Sequence, residues 1–293
     1  MVNVIYTYEA IGTHTNELGG LKLAVNVKLF ILGSNMDISN LRFSITGGHA
    51  LQALRTPAKN IRISNCVIED IGGSYLNPKY EERYGNGIEF YSSDAENVEV
   101  TDTIIRNVYD VGFTIQGEIG AGYNVFVHDN VFVNNSQDSE IWEGPEAGGV
   151  RNYHFNNNIS VNQGRGWGYE ARPDQDASSH ILFYEYYPKT ADIQFHNNLV
   201  YNPRRVYSVK PSMQEFFVDD FVKSDSNTYY MADDSRIINY VFPQWEKDDF
   251  IKWSHKEETS SFILLSEIDR DLLNLACSSD DIDTIKKQFA AIS

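Results

Sequence analysis

Four segments carry the residues whose types and spacing can do chemistry: GIEFYSS (87–93), GFTIQGE (112–118), SEIWEGP (139–145) and WGYEARP (167–173). Read as equivalent strands with Ile88, Phe90, Phe113, Ile115 and Ile141 turned inward, period two sends Glu89, Thr114, Glu140 and Gly168 outward in one row. Tyr91, Gln116, Trp142 and Glu170 form the next row, with Trp167 at the start of the fourth segment and Glu118 and Glu143 at strand ends. A strip of carboxylates, an amide and aromatic rings suits a sugar, which has apolar C–H faces and a polar rim. The chemistry such a strip supports is glycoside hydrolysis by a carboxylic acid and a second carboxylate. Glu140 and Glu170 lead, one strand apart and offset by two residues, with Cα atoms roughly 8 Å apart by strand geometry. Glu89 and Glu143 are further catalytic candidates. The chain has 41 acids, and an exposed Glu on a strand is ordinarily solvated surface.

A second chemistry competes. Arg165, Arg172, His180, Tyr184 and Lys189 cluster around the insert at 171–191. Cations there would neutralise a uronate carboxylate while a base removed its α-proton, giving elimination instead of hydrolysis. Asp174 and Asp176 offer a weak site for Ca²⁺; no other metal or cofactor is indicated.

The elements that must position these groups are strands in a repeat. Two apolar positions two apart, then Asn or Asp, then another apolar strand recur as MDISN, IRISN, VEVTD, VFVHD, YHFNN and IQFHN, ending at Asn40, Asn65, Asp102, Asp129, Asn157 and Asn197. The intervals are 25, 37, 27, 28 and 40 residues, within the range of repeat architectures. Asn and Asp tolerate left-handed backbone and can bond neighbouring peptide groups, which suits them to a fixed corner. Asn60, Asn97, Asn124, Asn152 and Asp192 mark a second corner before the first strand of five units. Two intervals are long because of inserts at 74–85 and 171–191, which flank the candidate strip on its two sides.

With these units the chain, over roughly 36–230, resembles the right-handed parallel β-helix proteins of the pectin-lyase-like superfamily. The segments VKSDSNTYYMADD (222–234) and VFPQWEKDDFIKW (241–253) resemble the closing part of bacterial secreted members. The resemblance implies an all-β solenoid, a carbohydrate-active enzyme acting on a polysaccharide or oligosaccharide, and a secreted or cell-surface location. It is specific for fold and carries over no catalytic residue. A glycoside hydrolase is the first expectation, with a polysaccharide lyase or a non-catalytic glycan-binding solenoid as alternatives. The Asn-rich corners make a β-helix domain the expectation for 1–265.

The last residues, 266–293, change to helical spacing through Ile268, Leu272, Leu275, Ile282, Ile285 and Phe289, and predict two short helices that cap the open end. Residues 1–35 read poorly, with strands indicated at 2–8 and 21–32. No basic segment followed by an apolar one is visible at the N-terminus, and no apolar run is long enough for a bilayer. The net charge of −17 and pI of about 4.7 disfavour nucleic acid, anionic membranes and polyanionic substrates. Cys66 and Cys277 form no motif, and Cys66 is expected to pack inward. His49, His128, His154 and His196 are expected to be structural. The oligomeric state is not encoded in any recognisable pattern.

Overall fold

A computed structural model describes residues 29–75, 83–172, 175–185, 189–239 and 247–292. The strand at 2–8, most of 21–32, the centre of the first insert, Asp174 and Trp245 lie outside the described residues.

All but two of the described strands belong to three parallel sheets of eight, seven and eight strands, which successive strands visit in rotation. One circuit shows the pattern. Ala95–Thr101 lies in the second sheet, Ile104–Val108 in the third and Val111–Gly117 in the first, before Ala121–His128 returns to the second. Each strand pairs in parallel with the strand one circuit away, as Val98 does with Val125 and Ile61. A small antiparallel hairpin, Ser74–Tyr75 with Arg83–Tyr84, stands apart from the rotation and belongs to the first insert. No helix of the described residues is long and apolar enough to cross a membrane.

The corners explain the rotation. Asn40, Asn65, Asp102, Asp129, Asn157 and Asn197 all adopt left-handed backbone, with φ between 49° and 57°. So do Asn60, Asn97, Asn124, Asn152 and Asp192, so both expected corner series are real. Short polar side chains visit this region more easily than any others except glycine. Their amides also stack. Asn60, Asn97, Asn124 and Asn152 each donate to the Oδ1 of the preceding corner, 25, 37, 27 and 28 residues earlier. A second, buried ladder runs through Asn130, Asn158, Asn198 and Asn227, where each backbone N–H donates to the next side-chain oxygen at 2.8–3.0 Å.

Inside the sheets, Ile61, Val98, Val125, Tyr153, Ile193 and Val222 form one buried row on adjacent strands. Aromatic rings fill the wider circuits, with Phe113 against Tyr153 at 6.1 Å and Phe155 against Phe195 at 6.1 Å. Cys66 is buried, and burial raises its thiol pKa, as expected of an inert small apolar residue.

Two helices do form in the last residues, Arg270–Ser278 and Ile282–Ala290, started by Asp269 and Asp281 side chains that accept from backbone amides. Their place differs from the expected end cap. Leu272, Ala276, Ile285 and Phe289 pack with Ile104, Val131, Val133, Ile159, Val161, Tyr201 and Tyr230, on the outer face of the third sheet. That face is apolar, so packing there takes the helices' apolar stripe out of water. Arg106 fastens the seam, donating to Glu69, to Ser279 O at 2.8 Å and to Asp280 at 2.8 Å, while Lys286 pairs with Asp102 at 2.8 Å. The C-terminal end of the core is covered instead by Phe217, Phe250 and Trp253 from Gln214–Val218 and Lys247–Ser254; Phe250 stacks on Tyr207 at 5.7 Å.

Candidate active site

The first sheet carries the acids. Gln52, Glu89, Thr114, Glu140, Leu182 and Ser208 are register partners in one row across Leu51–Leu54, Ile88–Tyr91, Val111–Gly117, Gln137–Glu143, Ser179–Glu185 and Arg205–Val209. Leu54, Tyr91, Gln116 and Trp142 form the next row. The expected row of Glu89, Thr114 and Glu140 is therefore present.

Its fourth member is not. WGYEARP forms the short helix Trp167–Ala171, and Ser179–Glu185 supplies the next strand of the sheet. Leu182 thus sits beside Glu140, and a bulge after Ile141 brings Glu185 opposite Trp142. Glu170 is exposed on the helix, outside the row. The local reason is legible: Trp-Gly-Tyr-Glu-Ala has no β-branched residue, whereas Ser-His-Ile-Leu-Phe-Tyr-Glu holds a continuous run of bulky residues with β-branched Ile181 at its head. Gly168 also packs against the Tyr109 carbonyl, where a Cβ would overlap it.

Glu89 is 2% exposed. Its carboxyl accepts from the Gln52 and Gln116 amides and from Asn86 Nδ2 at 2.9 Å. Desolvation outweighs these donors and pushes its pKa up to about 7. His49 Nδ1 lies 3.3 Å from Glu89 and accepts the Asn86 backbone N–H at 3.1 Å. His49, expected as structural, is thus part of the acid's surroundings, with Tyr84 of the first insert against its ring at 5.1 Å.

Glu140 is 9% exposed, and Thr114 Oγ1 donates to it at 3.4 Å. Desolvation, then the negative charges of Asp110 and Glu89, push its pKa up to about 8, against the pull of Arg172. Arg172 pairs with Asp110 at 2.7 Å and donates to Gln137 Oε1 at 3.2 Å. Trp167 lies over Gly73 and Tyr109 and donates to Asn107 O at 3.1 Å. Residues of both inserts thus gather over the acid row, which is buried where the pattern predicts an open strip.

The neighbouring aromatic row stays half-open. Tyr91 and Trp142 face each other at 6.2 Å across Gln116, and Trp142 Nε1 donates to Glu185 Oε2 at 2.9 Å. Tyr184 lies beneath the Lys210 ammonium, 3.1 Å from its ring centre. The remaining candidates serve other places. Glu143 is buried at a corner, accepting from Thr190, and desolvation raises its pKa. Arg165 is held by Asp234 at 2.5–2.9 Å and by Asn202 O at 3.0 Å. His180 is buried against Asp138 at 3.0 Å, with Phe155 beside its ring.

Asp110, Gln52, Asn86, His49 and Tyr84 are members of the site that the sequence pattern misses. Asp110 and Asn86 each sit beside a strand start, and a polar residue entering a strand of the candidate row is the one signal that points to them. Among the described residues no three His, Cys, Asp or Glu side chains are placed to hold a metal ion. Asp174 and the Asp176 side chain lie outside them. Comparison with protein-family models, curated proteins and solved structures finds no match in any of the three.

Proposed function

We propose that the three sheets are the faces of a right-handed parallel β-helix of the pectin-lyase-like kind, and that its first-sheet flank hydrolyses a glycosidic bond in a secreted or cell-surface setting. Glu140 is the general acid and Glu89 the general base. The observation that carries this reading is the pair itself: two buried carboxyls on strands two apart, pushed up to about 8 and about 7. Between those values Glu140 holds its proton while Glu89 has released its own, the division of labour that acid–base cleavage requires.

Two strand spacings separate the backbones by roughly 9.6 Å, and the directions of the two side chains set the carboxyl separation on which retention or inversion depends. The pair is covered, so catalysis needs Arg172 and the first-insert hairpin to part on substrate entry. Elimination on a uronic acid is the weaker reading, because Arg165 is committed to Asp234 and Arg172 to Asp110. A non-catalytic glycan-binding solenoid is favoured by one observation, that the acids are buried while the Tyr91–Trp142 row is half-open.

The test is incubation of the protein with neutral and uronic polysaccharides, with reducing ends measured. Release by the wild type and loss of release in Glu140→Gln and Glu89→Gln supports hydrolysis at this pair. An unsaturated product absorbing in the near ultraviolet replaces the reading with elimination. Binding without turnover replaces it with the glycan-binding solenoid.

A further inference from the structure

The outer face of the second sheet carries a pair of imidazoles that the acid row does not use. Gly149–Asn156 and Ala191–His196 are neighbouring parallel strands there, with His154 beside Gln194 and Asn156 beside His196. His154 and His196 are therefore diagonal neighbours, both half-buried, with ring centres 6.3 Å apart. Asn152 Nδ2 donates to Asn124 Oδ1 at 2.6 Å, which fixes that amide and turns its oxygen to His154 Nε2 at 2.8 Å. His154 Nε2 thus carries the proton and donates, and Nδ1 keeps a bare lone pair. The two ring nitrogens point in widely different directions. A bond back to Asn152, two residues before, therefore aims Nδ1 forward, the side on which His196 lies. Phe126 stacks on the His154 ring at 5.1 Å and holds its plane. His196 has one nitrogen 3.2 Å from Asn197 Nδ2 and the other without a hydrogen-bond partner among the described residues. His128, in the same sheet, differs, because Asp129 at 2.7 Å and Glu99 at 3.3 Å occupy its two nitrogens.

Metal-bound histidines almost always donate their other ring N–H to an oxygen, as His154 does. Each metal–nitrogen bond is about 2 Å, which puts two imidazole centres on one ion roughly 5–6 Å apart, so a small turn of either ring closes the 6.3 Å gap. Imidazole suits copper, zinc and nickel rather than calcium or magnesium, and copper(II) binds such ligands most tightly. We propose that His154 and His196 form a surface site for a divalent transition-metal ion, copper(II) ahead of zinc, with water completing its shell. Two protein ligands are fewer than a structural zinc centre has, so the ion is exchangeable. On the next strand Asp225 lies beside His196 and Lys223 beside Gln194, a balance of charge that does not repel a cation. An ion there clips together the two ends of the circuit that contains the 171–191 insert and shortens the free loop between them. The site stands apart from the reading of the first sheet as a glycan-cleaving flank.

The experiment titrates the full chain, first stripped with a chelator, with copper(II) chloride alone at neutral pH. Equilibrium dialysis measures the bound ion, and electron paramagnetic resonance reads its ligands. The wild type should hold one copper ion with hyperfine coupling to two imidazole nitrogens, and zinc should compete for the site. His154→Gln and His196→Gln should each weaken the affinity at least about tenfold, since losing even an outer partner of a ligating histidine costs about 10–100-fold. His128→Gln should leave it unchanged, and circular dichroism of each metal-free variant checks the fold. In the wild type itself, copper should broaden the ring-proton resonances of His154 and His196 before those of any other histidine, a readout that needs no folded variant. Coupling to a single nitrogen, or affinity that survives either substitution, overturns the shared site. Broadening that starts at another histidine overturns its placement. Failure of the wild type to retain copper overturns the proposal outright.

Discussion

Replacing Glu140 with Gln should change how the fold responds to pH. In the folded chain this carboxyl holds its proton to about 8, whereas its ordinary value is 4.5. Below 4.5 both states are protonated and the site costs nothing. As pH rises from 4.5 towards 8, the unfolded chain ionises while the folded one keeps its proton, so stability falls. The slope for one such group is about 1.4 kcal/mol per pH unit, which gives a loss on the order of 3 kcal/mol by pH 7. Glu89 adds a similar loss that levels off near 7. Gln cannot ionise and can still accept from Thr114, so Glu140→Gln should lose about half of this site-specific decline. It should be more stable than the wild type at pH 8 by a few kcal/mol. Urea melts followed by circular dichroism from pH 4.5 to 8.5 measure it. The net charge of −17 also disfavours the fold as pH rises, but that background is nearly common to both proteins, and the difference between them isolates the site. Parallel midpoint-versus-pH curves for wild type and variant would refute the buried, protonated Glu140.

Three other outcomes follow from single contacts. Asn158→Ala removes the donor to Val127 O and the acceptor for the Asn130 N–H, both buried, and should cost about 2–4 kcal/mol by denaturant melt. Phe289→Ala removes a fully buried ring under the C-terminal helices and should cost about 3–5 kcal/mol locally. Its readout is faster proteolysis after Leu265, with the parallel-strand signal in circular dichroism retained. Arg172→Met removes the cation that favours ionised Glu140, so the alkaline limb of any hydrolysis should move to higher pH. A limb that stays in place would separate Arg172 from the acid.

The legibility of this chain follows its physics. The corners could be read because left-handed backbone is costly for most side chains, so Asn and Asp recur where the chain must turn. The row of Glu89, Thr114 and Glu140 could be read because strand period is two and the corners fix the phase. Glu170 falls outside the row because W-x-Y-x-A satisfies period two by accident, and the true strand, Ser179–Glu185, lies inside the segment that the spacing marks as an insert. The burial of the acids is not readable, since Tyr84 and Arg172 come to them from segments outside the repeat, whose course no periodicity dictates. The two helices were plain, but not their seat. One signal pointed to it: Ile104–Ile105 and Val131–Phe132–Val133 are apolar on both faces, and a strand of that kind needs a layer on each side. Asp110, Asn86 and His49 come from separate circuits, and only the register of the sheets joins them.

The most direct test of the central claim is the pH–rate profile of glycan hydrolysis by the wild type beside Glu89→Gln and Glu140→Gln. The account predicts a bell with limbs near 7 and 8 from the two raised carboxyls, and loss of reducing-end release in both variants. Full activity in both variants, or a profile with both limbs in the ordinary carboxylate range near 4.5, would contradict it.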